Sequence, residues 1–387
     1  MQPLNETEAL ARAREVAKTV LARQAEEVDR EGRWPAESLR ALLDAGLGGL
    51  TAPIAAGGSG FGMAMLGQVC EILGRECASS AICFGMHCVA TAVIAAKATP
   101  EQSALYLEPI ARGAHLSTLA LSEPGTGSHF YVPETLLQLK DDALVVTGLK
   151  SFVTNGGHAD SYVISASTPS RDHGGLGVFS CAIVPNSGPG LSWEGEWNGM
   201  GMRGNSSIQL RLDGFRIARN QVLGQPGDET WYVFNVVAPY FLMAMAGTYL
   251  GVAGAAFDEA RSHLAARQQS HTARTLSAVP VLQHRLGVMY AAVERTRQLV
   301  RLAGERGDEG APDALALLCS AKAEVADCAT LVTNEALTLL GGRGFATGSR
   351  AGRLLRDARA AHVMSPTTDL LRTWAGRALL DLPLLGD

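Results

Sequence analysis

The chain has no surplus of positive charge. Its 33 Lys and Arg against 38 Asp and Glu leave a formal net charge of −5, so composition gives no support to a nucleic-acid partner, which would need a basic face. Metal-style cysteine pairing is also missing. The 7 cysteines (70, 77, 83, 88, 181, 319 and 328) are odd in number, form no CxxC pair and mostly sit among apolar neighbours, which points to reduced, buried thiols. Cys83 and Cys88 flank His87; helix packing is the expectation there, with a zinc site as the alternative. No apolar run is read as reaching the ~18–20 residues that span a bilayer. The opening MQPLNETEALARAREVAKTV is charged and amphipathic, unlike a signal peptide. These absences lead to the expectation of a soluble cytoplasmic protein with no membrane association. Repeats and low-complexity linkers are absent as well.

The 387 residues are 47% hydrophobic and 18% charged, which is ample for a large core in two or three domains. Three textures follow one another. Residues 1–115 space their apolar positions three and four apart, as in WPAESLRALLDAGLGGL (34–50), with a turn-forming AAGGSGFG at 55–62. They read as a helical domain. Residues 116–227 alternate apolar and polar positions in LLQLKDDALVVTGLKSFVTN (136–155) and SIQLRLDGFRI (207–217), with short apolar runs at 161–167 and 179–185. That is a strand signature. Residues 228–387 return to the helical period over 244–269, 281–304 and 313–342, the last ending in a Gly-Gly stop. Ala, Gly and Ser striping across 313–342 favours close helix packing and an oligomer.

Four stretches, LALSEPGTGSH (119–129), GLKSFVTNGGHAD (148–160), GMGMRGNSS (199–207) and ALTLLGGRGF (336–345) followed by RDAR (356–359), resemble the signature segments of the acyl-CoA dehydrogenase flavoprotein family, in that family's order and across nearly the whole chain. The resemblance implies an α+β fold: an N-terminal helical domain, a central β-barrel or sandwich domain and a C-terminal four-helix bundle. It implies FAD, a homodimer or homotetramer, an acyl-CoA or acyl-carrier-protein substrate, and electron-transfer flavoprotein or oxygen as acceptor. By the same resemblance Ser122 contacts the flavin ring, Ser128 lies near the acyl thioester or the flavin phosphate, Phe152 packs on the flavin ring and Thr154 stands beside its redox nitrogen. Arg267 reaches the FAD phosphate of a neighbouring subunit, with Arg274 as a competing assignment. Gly341 and Gly342 let backbone approach the cofactor, and Thr367 touches it. Read from the residues alone, these same positions suit turns, strand ends and helix caps. Arg356 and Asp357 are expected to form a structural ion pair, and Glu123 to stabilise its turn. His129 stands where the family segment usually has Asp.

One element of the resemblance is missing. A carboxylate ordinarily removes the substrate α-proton, and the family places that Glu at the position of Ser365 or, in some members, at the position of Phe241, with an arginine where Leu242 stands here. A serine hydroxyl is a poor acceptor unless another base activates it. His362, three residues before Ser365, is an imidazole, a side-chain type suited to a base, and its helical spacing also allows a structural role facing elsewhere. Three readings follow: thioester oxidation of the α,β-dehydrogenation type without the usual Glu, a flavin monooxygenase on the same fold, whose relatives include some with a Pro like Pro366, or a non-redox flavin-binding or partner protein. The SEPGTGS and GMGMRG segments favour the first. The missing arginine at Leu242 suits a carrier-protein-bound substrate.

Overall fold

The structure is a computed structural model and describes residues 3–127, 129–140, 143–168, 178–225, 228–271 and 273–385. Five helices build the first region: α1 (Glu6–Val16), α2 (Ala22–Glu31), α3 (Ala36–Asp44), α4 (Met63–Gly74) and α5 (Ala78–Ala96), followed by the short turns α6 (Pro100–Gln102) and α7 (Glu108–Ala111). A mixed sheet follows. Its strands are β1 (Ser117–Ala120), β2 (Leu136–Lys140), β3 (Ala143–Val153), β4 (Ser161–Thr168), β5 (Val178–Pro185), β6 (Leu191–Glu194), β7 (Ile208–Ile217) and β8 (Val222–Leu223). They pair in the order β6-β7-β3-β2-β4-β5-β8, with β1 parallel to β4. The chain closes with α8 (Glu229–Tyr232), α9 (Ala238–Ala266), α10 (Pro280–Asp308), α11 (Ala314–Leu340), α12 (Gly342–Phe345), α13 (Arg350–Val363) and α14 (Thr368–Leu379).

Alanine and glycine on α4 and α9 let these helices cross backbone to backbone. A Cβ on Gly247 would stand 2.2 Å from the Gly67 carbonyl oxygen, and one on Gly74 would stand 2.3 Å from that of Thr248. No side chain fits there. The carboxylate of Asp308, at the end of α10, takes the Met63 and Ala64 N–H groups at 2.6 and 3.0 Å. It thereby satisfies donors that the first turn of α4 leaves open.

Two helical runs, Ala78–Ala96 and Val233–Ala266, are long and apolar enough to cross a bilayer by length and composition, which corrects the reading that no such run exists. In the fold 94% and 89% of their apolar windows are buried, because α5 is enclosed between α4, β1 and α9. All seven cysteines are free and buried. His87, between two of them, serves the backbone: its Nδ1 accepts from the Ser117 N–H at 3.1 Å and its Nε2 bonds the Gly48 carbonyl at 2.9 Å. Burial lowers its pKa to about 4, so the ring is neutral at pH 7 and suits this acceptor–donor arrangement.

Candidate active site

The turn after β1 is held from beneath by a buried charge pair. Glu123 is 4% exposed and Lys150, on β3, is fully buried. The Lys150 ammonium bonds Glu123 and also the Ser165 hydroxyl at 3.0 Å. The Thr135 hydroxyl and N–H donate to the same carboxylate at 2.6 and 3.1 Å, and the Glu134 N–H completes the set. Burial lowers the Lys150 pKa, and the neighbouring carboxylate works against that shift. Glu123 is therefore a turn stabiliser with its oxygens fully engaged. The Ser151 N–H bonds the Ser122 carbonyl at 2.8 Å, which fastens the same turn to β3.

At its far end β3 slips register against β7 between Lys150 and Val153. Phe152 there has φ +53°, a conformation a bulky residue seldom adopts. The irregularity turns its ring outward, 67% exposed, edge-on to Trp197 with centroids 6.4 Å apart. Bulges commonly re-aim a side chain in this way. Beyond it, the Thr154 hydroxyl lies 3.4 Å from that of Ser207.

These groups face a cavity of about 600 Å³, well within the range of small-molecule sites. Its β-domain wall carries Ser122, Phe152, Thr154 and Asn205; its bundle wall carries Phe241, at the start of α9, and Met364–Ser365–Pro366, between α13 and α14. Ser365 and Phe241, the two positions at which the resemblance leads one to expect a carboxylate, are far apart in sequence and line the same cavity. Among the described lining residues the only acid is Glu123, whose carboxylate is already engaged.

Several assigned residues stand elsewhere. His362 is not at the cavity: the helical period of α13 turns it onto α11, where its ring bonds Asp327 at 3.0 Å and Thr330 at 3.4 Å. The expected Arg356–Asp357 ion pair does not form, because consecutive helix positions point about 100° apart. Arg356 pairs instead with Asp29 and donates to the Met200 carbonyl at 2.9 Å. Asp357 accepts from the Met202 N–H at 2.7 Å, and burial raises its pKa to about 6. Together the two lock the GMGMR loop to α13. Thr367 caps α14. Arg267 lies exposed at the end of α9, and Gly341, with φ +60°, ends α11 on the surface. Gly342 follows it, also exposed, at the start of α12. Burial lowers the pKa of His263 near the end of α9, and Arg343 and Arg267 lower it further. Arg274 lies in the loop after α9, where its carbonyl accepts from the Gln269 N–H at 2.9 Å. Leu242 is buried in α9. Ser128 lies outside the described residues. Asn205 was not singled out from sequence; the signal available was its place inside the GMGMRGNSS segment.

Models of the acyl-CoA dehydrogenase N-terminal, middle and C-terminal domains match residues 5–114, 118–215 and 236–380. Cyclohex-1-ene-1-carbonyl-CoA dehydrogenase of Geobacter metallireducens is 30% identical over 369 residues, covering 95% of this chain and 96% of that protein. The human short-chain specific acyl-CoA dehydrogenase is 28% identical, covering 94% and 87%. The solved structure of butyryl-CoA dehydrogenase from Megasphaera elsdenii superposes with a TM-score of 0.90 at 25% identity, covering 98% of this chain and 100% of that one. The fold and its cavity are those of a flavin-dependent oxidoreductase. The chain belongs to the acyl-CoA dehydrogenase family, whose cofactor is FAD.

The cavity fits that cofactor. Asn205 is 1% exposed, and its Oδ1 has no hydrogen-bond partner, an arrangement that is costly unless a ligand donor completes it. The outward Phe152 ring and the Ser122 and Thr154 hydroxyls add an apolar face and polar edges for a flat heteroaromatic ring.

Proposed function

We propose that this protein is an FAD-dependent oxidoreductase that withdraws two hydrogens from the α,β-positions of an acyl thioester, on coenzyme A or a carrier protein, without a protein carboxylate as the base. The observation that carries this reading is the convergence of Ser365 and Phe241 on one cavity in which Glu123 is already committed. FAD, when bound, supplies the hydride acceptor. Phe152 would cover the ring, with Ser122, Thr154 and Asn205 at its polar edge. The apolar wall around Phe241 and Met364 would exclude water from the acyl group. The α-proton then leaves to a basic group carried by the substrate, which confines the reaction to thioesters whose α-proton is unusually acidic. With an ordinary acyl-CoA the missing base costs about 10²–10⁴-fold. Ser365 would pack against the substrate, and His362, turned onto α11, takes no part.

In this reading Arg267, Gly341 and Gly342 serve the FAD of a neighbouring subunit in a homodimer or homotetramer; their exposure at the bundle end leaves them available for that. Thr367 lies close behind Ser365 in the chain. The reduced flavin passes its electrons to electron-transfer flavoprotein or oxygen in the cytoplasm.

The test is anaerobic. Purified protein should carry one FAD per chain, and acyl-CoA and acyl-carrier thioesters are screened for bleaching of the flavin band without added reductant. Bleaching by a thioester supports the proposal. Turnover that requires an external reductant and places oxygen from O₂ in the product would overturn it in favour of a monooxygenase. A folded protein with no affinity for FAD would leave only a non-redox role.

A further inference from the structure

Lys322 lies in the middle of α11, fully buried, on the side of the bundle that backs the cavity wall. Its amine donates to the Pro366 carbonyl at 2.8 Å and to the Met364 carbonyl at 3.2 Å, the two carbonyls on either side of Ser365. The Met364 N–H still bonds the Ala360 carbonyl at 2.9 Å as the cap of α13, and Ser365 and Pro366 lie between that helix and α14. A second contact secures it: the Tyr249 hydroxyl, buried on α9, donates to the Met364 sulfur at 2.8 Å. Three consecutive cavity-lining residues are thus held from behind by two helices of the bundle.

Burial, with no neighbouring charge contributing, lowers the Lys322 pKa to about 7. The charges nearest in sequence on its own helix look elsewhere: Asp327 is engaged with His362 and Arg372, and Glu324 faces Arg372 at 3.9 Å. A neutral amine still carries two N–H donors, one for each carbonyl, so the contact needs no counter-charge. Leaving the two carbonyls unmatched would be costly, above all at the buried Pro366 contact.

We propose that Lys322 is a positioning residue of the active cavity: by bonding both carbonyls that flank Ser365 it sets how that residue meets the substrate, while Tyr249 secures the neighbouring Met364. The link to substrate rests on the function proposed above; the link to the segment's conformation does not.

The experiment compares wild type with Lys322→Met, which keeps an apolar chain of similar length and removes the donors, both loaded with FAD. Hydrogen–deuterium exchange in a peptide spanning residues 363–368 should quicken at least tenfold, with α5 and the β-domain unchanged. With any thioester that bleaches wild type, the limiting rate of flavin reduction should fall at least tenfold while the half-saturating concentration moves less than threefold. Unchanged exchange in the segment overturns the proposal, as does a general quickening across α11, α13 and α14, which would mark a merely structural lysine. If Lys322→Met does not fold, Tyr249→Phe replaces it: a threefold local quickening is expected, and no change is fatal. If no thioester reduces the wild-type flavin, the functional reading fails and the exchange measurement still decides this one.

Discussion

Replacing Lys150 by Met isolates the physics of the cofactor turn. The pair it breaks has side chains 0% and 1% exposed, so a stranded Glu123 carboxylate cannot reach water. Removing one partner of such a pair costs about 3–5 kcal/mol. The Glu134 and Thr135 groups still donate to the carboxylate, which places the loss toward the lower end, about 3 kcal/mol. The Ser165 hydroxyl also loses its donor, adding about 1 kcal/mol. Against a total of about 5–15 kcal/mol for a folded protein, the variant should be markedly weakened but purifiable. Urea unfolding at saturating FAD measures the loss. Adding Glu123→Gln should restore about 2 kcal/mol, because no buried charge is then left. Glu123→Gln alone should be milder than Lys150→Met, since burial already favours the uncharged amine of Lys150. It should also keep flavin reduction within about threefold of wild type, a change worth less than ~1 kcal/mol of barrier. A Lys150→Met loss below ~1 kcal/mol, the value of an exposed pair, would refute the argument. A Glu123→Gln enzyme that is stable but unable to reduce its flavin would show Glu123 to be the base.

Further outcomes follow from the same geometry. Ser365→Glu places a carboxylate in the cavity and should speed anaerobic bleaching by an ordinary acyl-CoA by about 10²–10⁴-fold; no gain in a folded variant that binds the thioester would count against the placement of that segment. His87, with a folded pKa of about 4, binds fewer protons folded than unfolded between about pH 4 and 6.5. Stability is therefore complete above pH 6.5 and falls by about 3 kcal/mol as the pH drops toward 4, and His87→Asn should flatten that part of the curve in pH-dependent denaturation. Gly247→Ala drives a Cβ into the Gly67 carbonyl and should cost about 1–3 kcal/mol by calorimetry. Gly287→Ala meets open space on α10 and should stabilise by about 0.4–1 kcal/mol. Equal effects at the two glycines would contradict the close approach of α4 and α9.

Local pattern carries information about elements, and it served well where the element's own periodicity decides the outcome. The alternation at 136–155 and 207–217 became β2, β3 and β7, and the helical spacing after 244 became α9, α10 and α11. That Ser365 and Phe241 are not acids was also legible, since it depends only on which residue types are present. Buried helices misled the reading of apolar length, because a core helix and a membrane helix satisfy the same test along the chain and differ only in what surrounds them. Partner choice was not legible. Asp29 takes Arg356 from 327 residues away, and Lys322 reaches across 44 residues to the Pro366 carbonyl. Nothing in the local sequence of either lysine or arginine specifies the other end of the bond. His362 stands three residues from Ser365, yet the exit from α13 sends the two side chains to opposite sides.

By itself the sequence determined the kinds of element, their order and the absence of an acid at two positions, because each of these is a property of consecutive residues. Only the tertiary structure decided that those two positions share one cavity and that Glu123 is sequestered. It alone decided that a buried lysine holds the segment around Ser365, because hydrogen bonding and desolvation are settled among groups the chain brings together only when it folds.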